Sequence, residues 1–330
     1  MSIYFIRMKN SKPSILHLDQ IKSCLKKVDL IPLIEEGFVA YSEGRSVVPP
    51  VGELIFEDPP GDTHIKYGYI RNQEYYTVKI ASGFYNNPAI GLKASQGIML
   101  IFSQSTGLLE CILLDGGFLT DIRTVIASMI TIKYLAPDEV KRVGVMGTGI
   151  QAALQLEYLC KYFKYKDIMI WGRDKEKAVD LKNKMHDLPC QIHVCKDSTE
   201  LANRCDVIIT TTASDSPILN YKDLRPNVHI TALGSDTGHK VELDSSILER
   251  SDIVVSDSIS QSHSRGEVFR ARQAGCINDT EMIELGQLIA NPSLGRKGGD
   301  EITVADLTGV AVQDIMIATA IYNHYLNGSE

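Results

Sequence analysis

The sequence predicts an α/β chain of two units: a doubly wound parallel sheet in the middle, and an α+β unit drawn from both chain ends. Three observations predict it. A G-x-G-x-x-A turn, Gly147 to Ala152, joins an apolar strand to an amphipathic helix. After it, short apolar runs alternate with helical patterns, as parallel strands with crossover helices do. Before it, between residues 52 and 114, short runs follow one another with turn chemistry between them, which predicts an antiparallel sheet or half-barrel.

The elements follow in order. Leu16 to Leu25 and Ile31 to Tyr41 read as helices, with Pro32 suited to a first turn. Pro49, Pro50, Pro59 and Pro60 forbid a long helix in the next stretch. GELIFE, THIKYGYI, YYTVKIASG, GIMLIFS and LLECILLD then read as strands, divided by PPGD, RNQE, NNP and QSTG. Leu119, Ile122, Val125, Ile126, Met129 and Ile130 mark a helix that stops at Pro137. The strand around Val143 to Met146 enters the glycine turn, and Ala152, Leu156, Leu159 and Phe163 carry the helix beyond it. DIMIW, QIHVC, DVIITTTA, VHITALG and DIVVSD continue the strand series, with helices over 175–186 and near 199–204. The chain ends in EITVADL, Thr308-Gly309 and a helix from Val310 to about Tyr325, which is expected to pack back on the first unit.

Composition narrows the function classes. The 330 residues suffice for two cores, and 44% hydrophobic with 23% charged residues is ordinary for a soluble globular chain. A net charge of −7 with no basic tract argues against nucleic acid as a partner. Met1 to Ser14 lacks the apolar core of a signal peptide, and no run approaches the roughly 18 apolar residues of a spanning helix, so a cytoplasmic protein without membrane contact is expected. The seven cysteines are dispersed and never spaced C-x-x-C, which reads as buried small hydrophobes rather than a metal site or a catalytic thiol.

The glycine turn has the context of a dinucleotide fingerprint, in which Gly147 permits the tight turn and Gly149 lets the backbone approach a pyrophosphate. The next strand ends Trp171-Gly172-Arg173-Asp174, with an arginine where an acid would favour NAD. The expected cofactor is therefore NADP or NAD, with a lean to NADP; the alternative makes Arg173 a solvated helix-start residue and Asp174 an N-cap. Asp236, after the strand ending at Gly234, should face the same crevice and could hold a substrate ammonium or move its proton, unless it is an ordinary loop carboxylate. Lys79 stands inside an apolar strand and either points to solvent or faces a cleft with an anionic partner. Arg123, beside Ile122 and Val125, poses the same question, and Lys66 is a third candidate cation.

With YTVKIASGF, TGLLECILLDGGFLTDIRTVIAS, VGVMGTGIQA, CDVIITTTASDSPIL, ITALGSDTGHKVELD and EITVADLTGVAVQD in view, the chain resembles the ornithine cyclodeaminase and mu-crystallin family over residues 30–326. HIKYGYI and KIASGFYNNPAIGL further resemble the ectoine-utilisation branch. The change of pattern divides the chain into residues 137–307, a Rossmann unit, and residues 1–136 with 308–330, which the resemblance implies to be a substrate-binding and dimerisation unit. By it, Lys79 and Arg123 match substrate-carboxylate ligands, and Asp236 matches the acid beside the substrate amine. Gly147, Thr148, Gly149, Ile150, Gln151 and Ala152 match the pyrophosphate turn, and Arg173 matches the basic residue of NADP-preferring members. Thr211, Thr212 and Ala213, with Leu307 to Gly309, match loops lining the nicotinamide. Many relatives carry a further arginine where this chain has Gly52, a place for which Lys66 is the candidate substitute. The implied activity is hydride transfer at Cα of a small amino acid or its imine, with cyclisation and ammonia loss as in ornithine cyclodeaminase. The alternatives are an amino-acid dehydrogenase or cyclic imine reductase with net cofactor turnover, and a mu-crystallin-like protein that binds NADPH and a small ligand. A homodimer is also implied.

Overall fold

The computed structural model describes residues 12–84, 86–278 and 282–328. Its first part comprises β1 (Ser14–His17), α1 (Leu18–Leu25), α2 (Leu30–Ser42), β2 (Ser46–Val47), β3 (Gly52–Glu57), β4 (Pro60–Ile70), β5 (Tyr75–Gly83), β6 (Ser95–Ser103), β7 (Leu109–Leu114) and α3 (Phe118–Leu135). The sheet runs β1-β7-β6-β5-β4-β2, with β3 also paired to β4. It is antiparallel throughout except where β1 lies parallel to β7. The helix expected from Leu16 thus starts two residues later: Leu16 is buried and pairs with Leu113, because these four residues close the sheet edge before the chain turns helical. α3 is buried nearly all round, as a helix lying between two layers must be.

The second part comprises β8 (Val143–Met146), α4 (Ile150–Tyr162), β9 (Asp167–Trp171), α5 (Lys175–Lys184), β10 (Gln191–Val194), α6 (Ser198–Ala202), β11 (Val207–Thr210), β12 (His229–Ala232), α7 (Ser245–Glu249), β13 (Ile253–Ser256), α8 (Glu267–Gln273), β14 (Met282–Glu284), α9 (Leu285–Ala290), β15 (Thr303–Asp306) and α10 (Ala311–Gly328). Eight strands form a parallel sheet in the order β10-β9-β8-β11-β12-β15-β13-β14. β8, β11, β12 and β15 are buried at every residue, as strands covered on both faces are, and buried His229 of β12 bonds Thr303 and Thr231 through its two ring nitrogens. Strand order reverses at β8, so a crevice opens at the carboxyl ends there, the usual ligand position in such a sheet.

β15 inserts between β12 and β13 and delivers the chain to that crevice at residues 306–309. From there α10 crosses to the first sheet and packs on α2, β4 and β5. Both sheets therefore contribute to one junction. Among the described residues no helix is long and apolar enough to cross a membrane.

Candidate active site

The turn after β8 is shaped by its two glycines in different ways. Gly147 has φ 134°, and a Cβ there would lie 2.2 Å from Thr211 Oγ1, so the turn closes only without a side chain. Gly149 is the opposite case: a Cβ there would meet nothing within 4 Å, and no side chain caps α4, whose first amides face open space. The cleft beside them, about 290 Å³, is lined by Thr148, Arg173, Thr211, Thr212, Ala213 and Ile218 among others. Uncapped amides at a helix N-terminus, an open approach and a basic rim fit a dinucleotide pyrophosphate.

Two expectations about this turn separate in the structure. Asp174 is the N-cap of α5, its Oδ1 accepting from the amides of Glu176 (3.0 Å) and Lys177 (3.3 Å), while Arg173 remains exposed at the cleft. Gln151 does not turn its amide to the cleft. Its Nε2 donates to the carbonyl and carboxylate of Asp121 on α3, at 3.3 and 3.2 Å, so only its backbone belongs to the turn. Ile150 is exposed and Ala152 fully buried against the sheet.

The second half of the site is a cluster of cations. The β4–β5 register sets Lys66 directly opposite Lys79, and both are buried. Like charges facing each other across a sheet are destabilising, so the pair needs compensation. α10 supplies part of it: Asp314, 1% exposed, lies 2.9 and 3.0 Å from Lys79 Nζ through its two oxygens and 3.3 Å from Arg123 Nε. Arg123 Nη1 also donates to Gln313 Oε1 at 3.1 Å. Lys66 Nζ donates to the carbonyls of Thr308 (3.2 Å) and Gly309 (2.5 Å). Gly309, at φ 81°, holds the cluster together by having no side chain, since a Cβ there would lie 2.7 Å from Arg123 Nη1 and 3.2 Å from Lys66 Nζ.

Three cations thus converge on one carboxylate. Burial, then the charges of Lys79 and Arg123, bring Lys66 down to about 7. Burial and Arg123 likewise bring Lys79 down to about 8 against the pull of Asp314. Burial pushes the Asp314 carboxyl up, but Lys79, Arg123 and Lys66 outweigh it and hold the group below the usual carboxylate range. A buried surplus of positive charge is a place for an anion.

Asp236 lies at the rim, half exposed, and its Oδ1 accepts from Lys240 Nζ at 2.7 Å. Burial raises its pKa, yet Lys240, Lys66 and His64 together lower it further, so it is a carboxylate that holds a cation more readily than it takes a proton. Gly52 pairs with Ile65, and a side chain at 52 would rise beside Ile65, on the face of β4 away from Lys66.

Buried carboxylates frame both loops at the crevice. Glu242 accepts from Thr210 Oγ1 (2.7 Å) and the Gly234 amide (2.8 Å) with one oxygen, and from the amide and hydroxyl of Thr212 (2.5 and 2.7 Å) with the other. Asp257 accepts from Thr308 Oγ1 (2.9 Å) and the Gly309 amide (2.6 Å). The sequence reading singled out none of Asp314, Gln313, Lys240, Glu242 and Asp257.

Comparison with known proteins follows from this geometry. The profile of the ornithine cyclodeaminase/mu-crystallin family matches residues 11–329. An uncharacterized cyclodeaminase of Sinorhizobium fredii is 37% identical over 298 residues, covering 89% of this chain and 90% of its own. A solved archaeal alanine dehydrogenase dimer with bound NAD is 29% identical, with a TM-score of 0.87 over 96% of this chain and 97% of its own. The iminosuccinate reductase of Paracoccus denitrificans, solved with NAD+, is 28% identical, with a TM-score of 0.86 over the same shares.

Proposed function

The chain belongs to the ornithine cyclodeaminase/mu-crystallin family, and from that premise we propose that it is an NAD(P)-dependent enzyme acting at Cα of a small amino acid or its imine. The observation that carries this reading is the buried cation cluster of Lys66, Lys79 and Arg123 against residues 308–309, which follow β15 at the same carboxyl edge of the parallel sheet as the glycine turn after β8. A bound nicotinamide supplies the hydride acceptor or donor. This chain's residues bind and orient: Arg123 and Lys79 hold the α-carboxylate, the 211–213 and 307–309 loops set the position of Cα, and Asp236 steadies the amine or iminium nitrogen. Restricting Cα to one approach is the main contribution of such a pocket. Arg173 at the rim supports NADP over NAD, because its fork suits a 2′-phosphate.

In this reading residues 1–136 with 308–330 form the substrate lobe and residues 137–307 the dinucleotide lobe. Leu54, Ile55 and Phe56 on β3 are exposed, and a second copy covering that edge accords with a homodimer.

Net oxidation or reduction is the reading the cation cluster supports best, since Lys66 is held only by neutral carbonyls and Asp236, the acid at the rim, is already engaged by Lys240 rather than free for the second amine of a diamino acid. Cyclodeamination is the second reading, supported by the Sinorhizobium relative. The test mixes the purified protein with NAD(P) and ornithine, 2,4-diaminobutyrate, alanine or cyclic imines in turn, recording reduced-nicotinamide absorbance and ammonia together. Stoichiometric absorbance change identifies a dehydrogenase or imine reductase. Ammonia without net absorbance change identifies a cyclodeaminase, and no reaction on any substrate refutes the enzyme reading in favour of ligand binding.

A further inference from the structure

We infer that the substrate is a short dicarboxylate, an amino dicarboxylic acid or its imine, whose second carboxylate is held by Lys66. The inference rests on the proposed redox reading and narrows it to a substrate class.

The cations differ in how far they are already satisfied. Lys79 has both oxygens of Asp314 within 3.0 Å, so its charge is matched inside the protein. Arg123 has Nε 3.3 Å from Asp314 and donates Nη1 to Gln313, which leaves Nη2 for one carboxylate. Lys66 is in another position. It is 8% exposed, its hydrogen-bond acceptors are two neutral carbonyls, and no carboxylate among the described residues stands within ion-pair distance of its Nζ. Carbonyls satisfy donors without cancelling charge, so a buried ammonium in this state is incomplete until an anion joins it. Asp236, the nearest acid across the rim, is engaged by Lys240.

Geometry then fixes what kind of anion completes it. Arg123 Nη2 and Lys66 Nζ lie 3.1 and 3.2 Å from the place a Cβ of Gly309 would fill, so the remaining edge of Arg123 and the ammonium of Lys66 border one small volume. One carboxylate on Arg123 and Lys79 places a second, joined to it by a short carbon chain, against Lys66. A substrate with an alkyl side chain leaves the ammonium without a counter-charge. One with a terminal ammonium sets two cations together. A second acid gives this ammonium the counter-charge that its two carbonyls do not supply. The depressed pKa of Lys66, which burial and its cationic neighbours cause, reflects the same imbalance.

The experiment uses the full chain with NADH and NADPH in turn, comparing oxaloacetate plus ammonium, which gives a dicarboxylate imine in solution, with pyruvate plus ammonium. The expected result is a kcat/KM about 50-fold or more higher for the dicarboxylate, the range associated with a buried charge-assisted contact. Equal rates, or preference for pyruvate, overturn the inference and leave the redox reading standing. Silence on both pairs, and on ornithine and pyrroline-2-carboxylate, overturns both. Lys66→Met is expected to lower the ratio of dicarboxylate to monocarboxylate kcat/KM about 50-fold, mainly through KM, with Lys66→Arg recovering most of it. An equal fall in kcat for both substrates would place Lys66 in the chemistry at Cα and refute the assignment. Energy transfer from Trp171, the single tryptophan and a cleft residue, to bound NADH reports whether each variant retains its fold. The wild-type preference needs no variant at all.

Discussion

Replacing Asp314 with asparagine removes one charge from the cluster at nearly constant volume. The residue is 1% exposed, and the change converts two contacts of Lys79 Nζ, at 2.9 and 3.0 Å, and one of Arg123 Nε, at 3.3 Å, from ion pairs into contacts with a neutral amide. Lys79 and Arg123 then lose the carboxylate in ion-pair contact with both of them. Breaking a buried pair from one side costs about 3–5 kcal/mol, whereas an exposed pair is worth about 1 kcal/mol or less. Against a total stability of about 5–15 kcal/mol that is a third of the whole or more. The loss should also depend on pH in a stated direction. Lys79 already sits at about 8, through burial first and Arg123 next, and without Asp314 it falls further. The folded variant therefore holds fewer protons than the folded wild type near neutral pH, and its deficit shrinks as pH rises. Urea denaturation followed by circular dichroism, on both proteins at about pH 6 and about pH 9, measures this directly. A deficit below about 1 kcal/mol at both values, or one that grows with pH, would refute the account of the cluster as a buried, charge-limited site.

The other predictions address the remaining parts of the site. Asp236→Asn should lower turnover about 100-fold with NADH binding intact, as judged by energy transfer from Trp171; unchanged turnover removes Asp236 from the mechanism. Gly147→Ala forces a Cβ to within 2.2 Å of Thr211 Oγ1 at φ 134°, so calorimetry should show cofactor affinity reduced at least about tenfold and stability lower by about 1–3 kcal/mol. Arg173→Ala should weaken NADPH about tenfold by fluorescence titration and leave NADH nearly unchanged, and equal effects on both would dismiss Arg173 as the 2′-phosphate ligand. The KM of wild type for an anionic substrate should rise as pH passes about 7, because Lys66 loses its proton there; the groups facing it are Lys79 and Arg123, which lower it, and Asp314 and Asp236, which raise it. A KM flat from about pH 6 to about pH 9 would show that the Lys66 charge does not bind substrate.

How much of this was legible in the sequence depended on how local the cause was. DIMIW and YYTVKIASG have the bounds of β9 and β5, because strands ended by turn residues carry their own boundaries. Leu16 was misread because an edge strand of four residues with one buried side chain has too little pattern to be told from a helix start. α7 and α9, of five and six residues, are too short for a helical period to show. In the site, Lys79 and Arg123 stood out as charges in apolar surroundings, but their partner did not. Asp314 is 235 residues from Lys79 and reads locally as an acid in the first turn of a helix, an ordinary place for one. The glycine turn was legible through its spacing, whereas the side chain of Gln151 went to Asp121 because α3 packs against α4, a tertiary fact.

The segment from Asp306 to Asp314 shows why the two halves of the site act together. Asp257, at the end of β13, takes the amide of Gly309 and the hydroxyl of Thr308, while Lys66 from β4 takes the carbonyls of the same two residues. Gln261 adds a bond from its Nε2 to Thr308 Oγ1 at 2.8 Å. The peptide groups therefore lie between a carboxylate of one sheet and an ammonium of the other, with amides toward the anion and carbonyls toward the cation. In a buried setting such an alignment is stronger than either bond alone. Separating the sheets at this point would leave Lys66 without its carbonyls, a costly state for a buried cation, so this segment ties the cation cluster to the 307–309 loop.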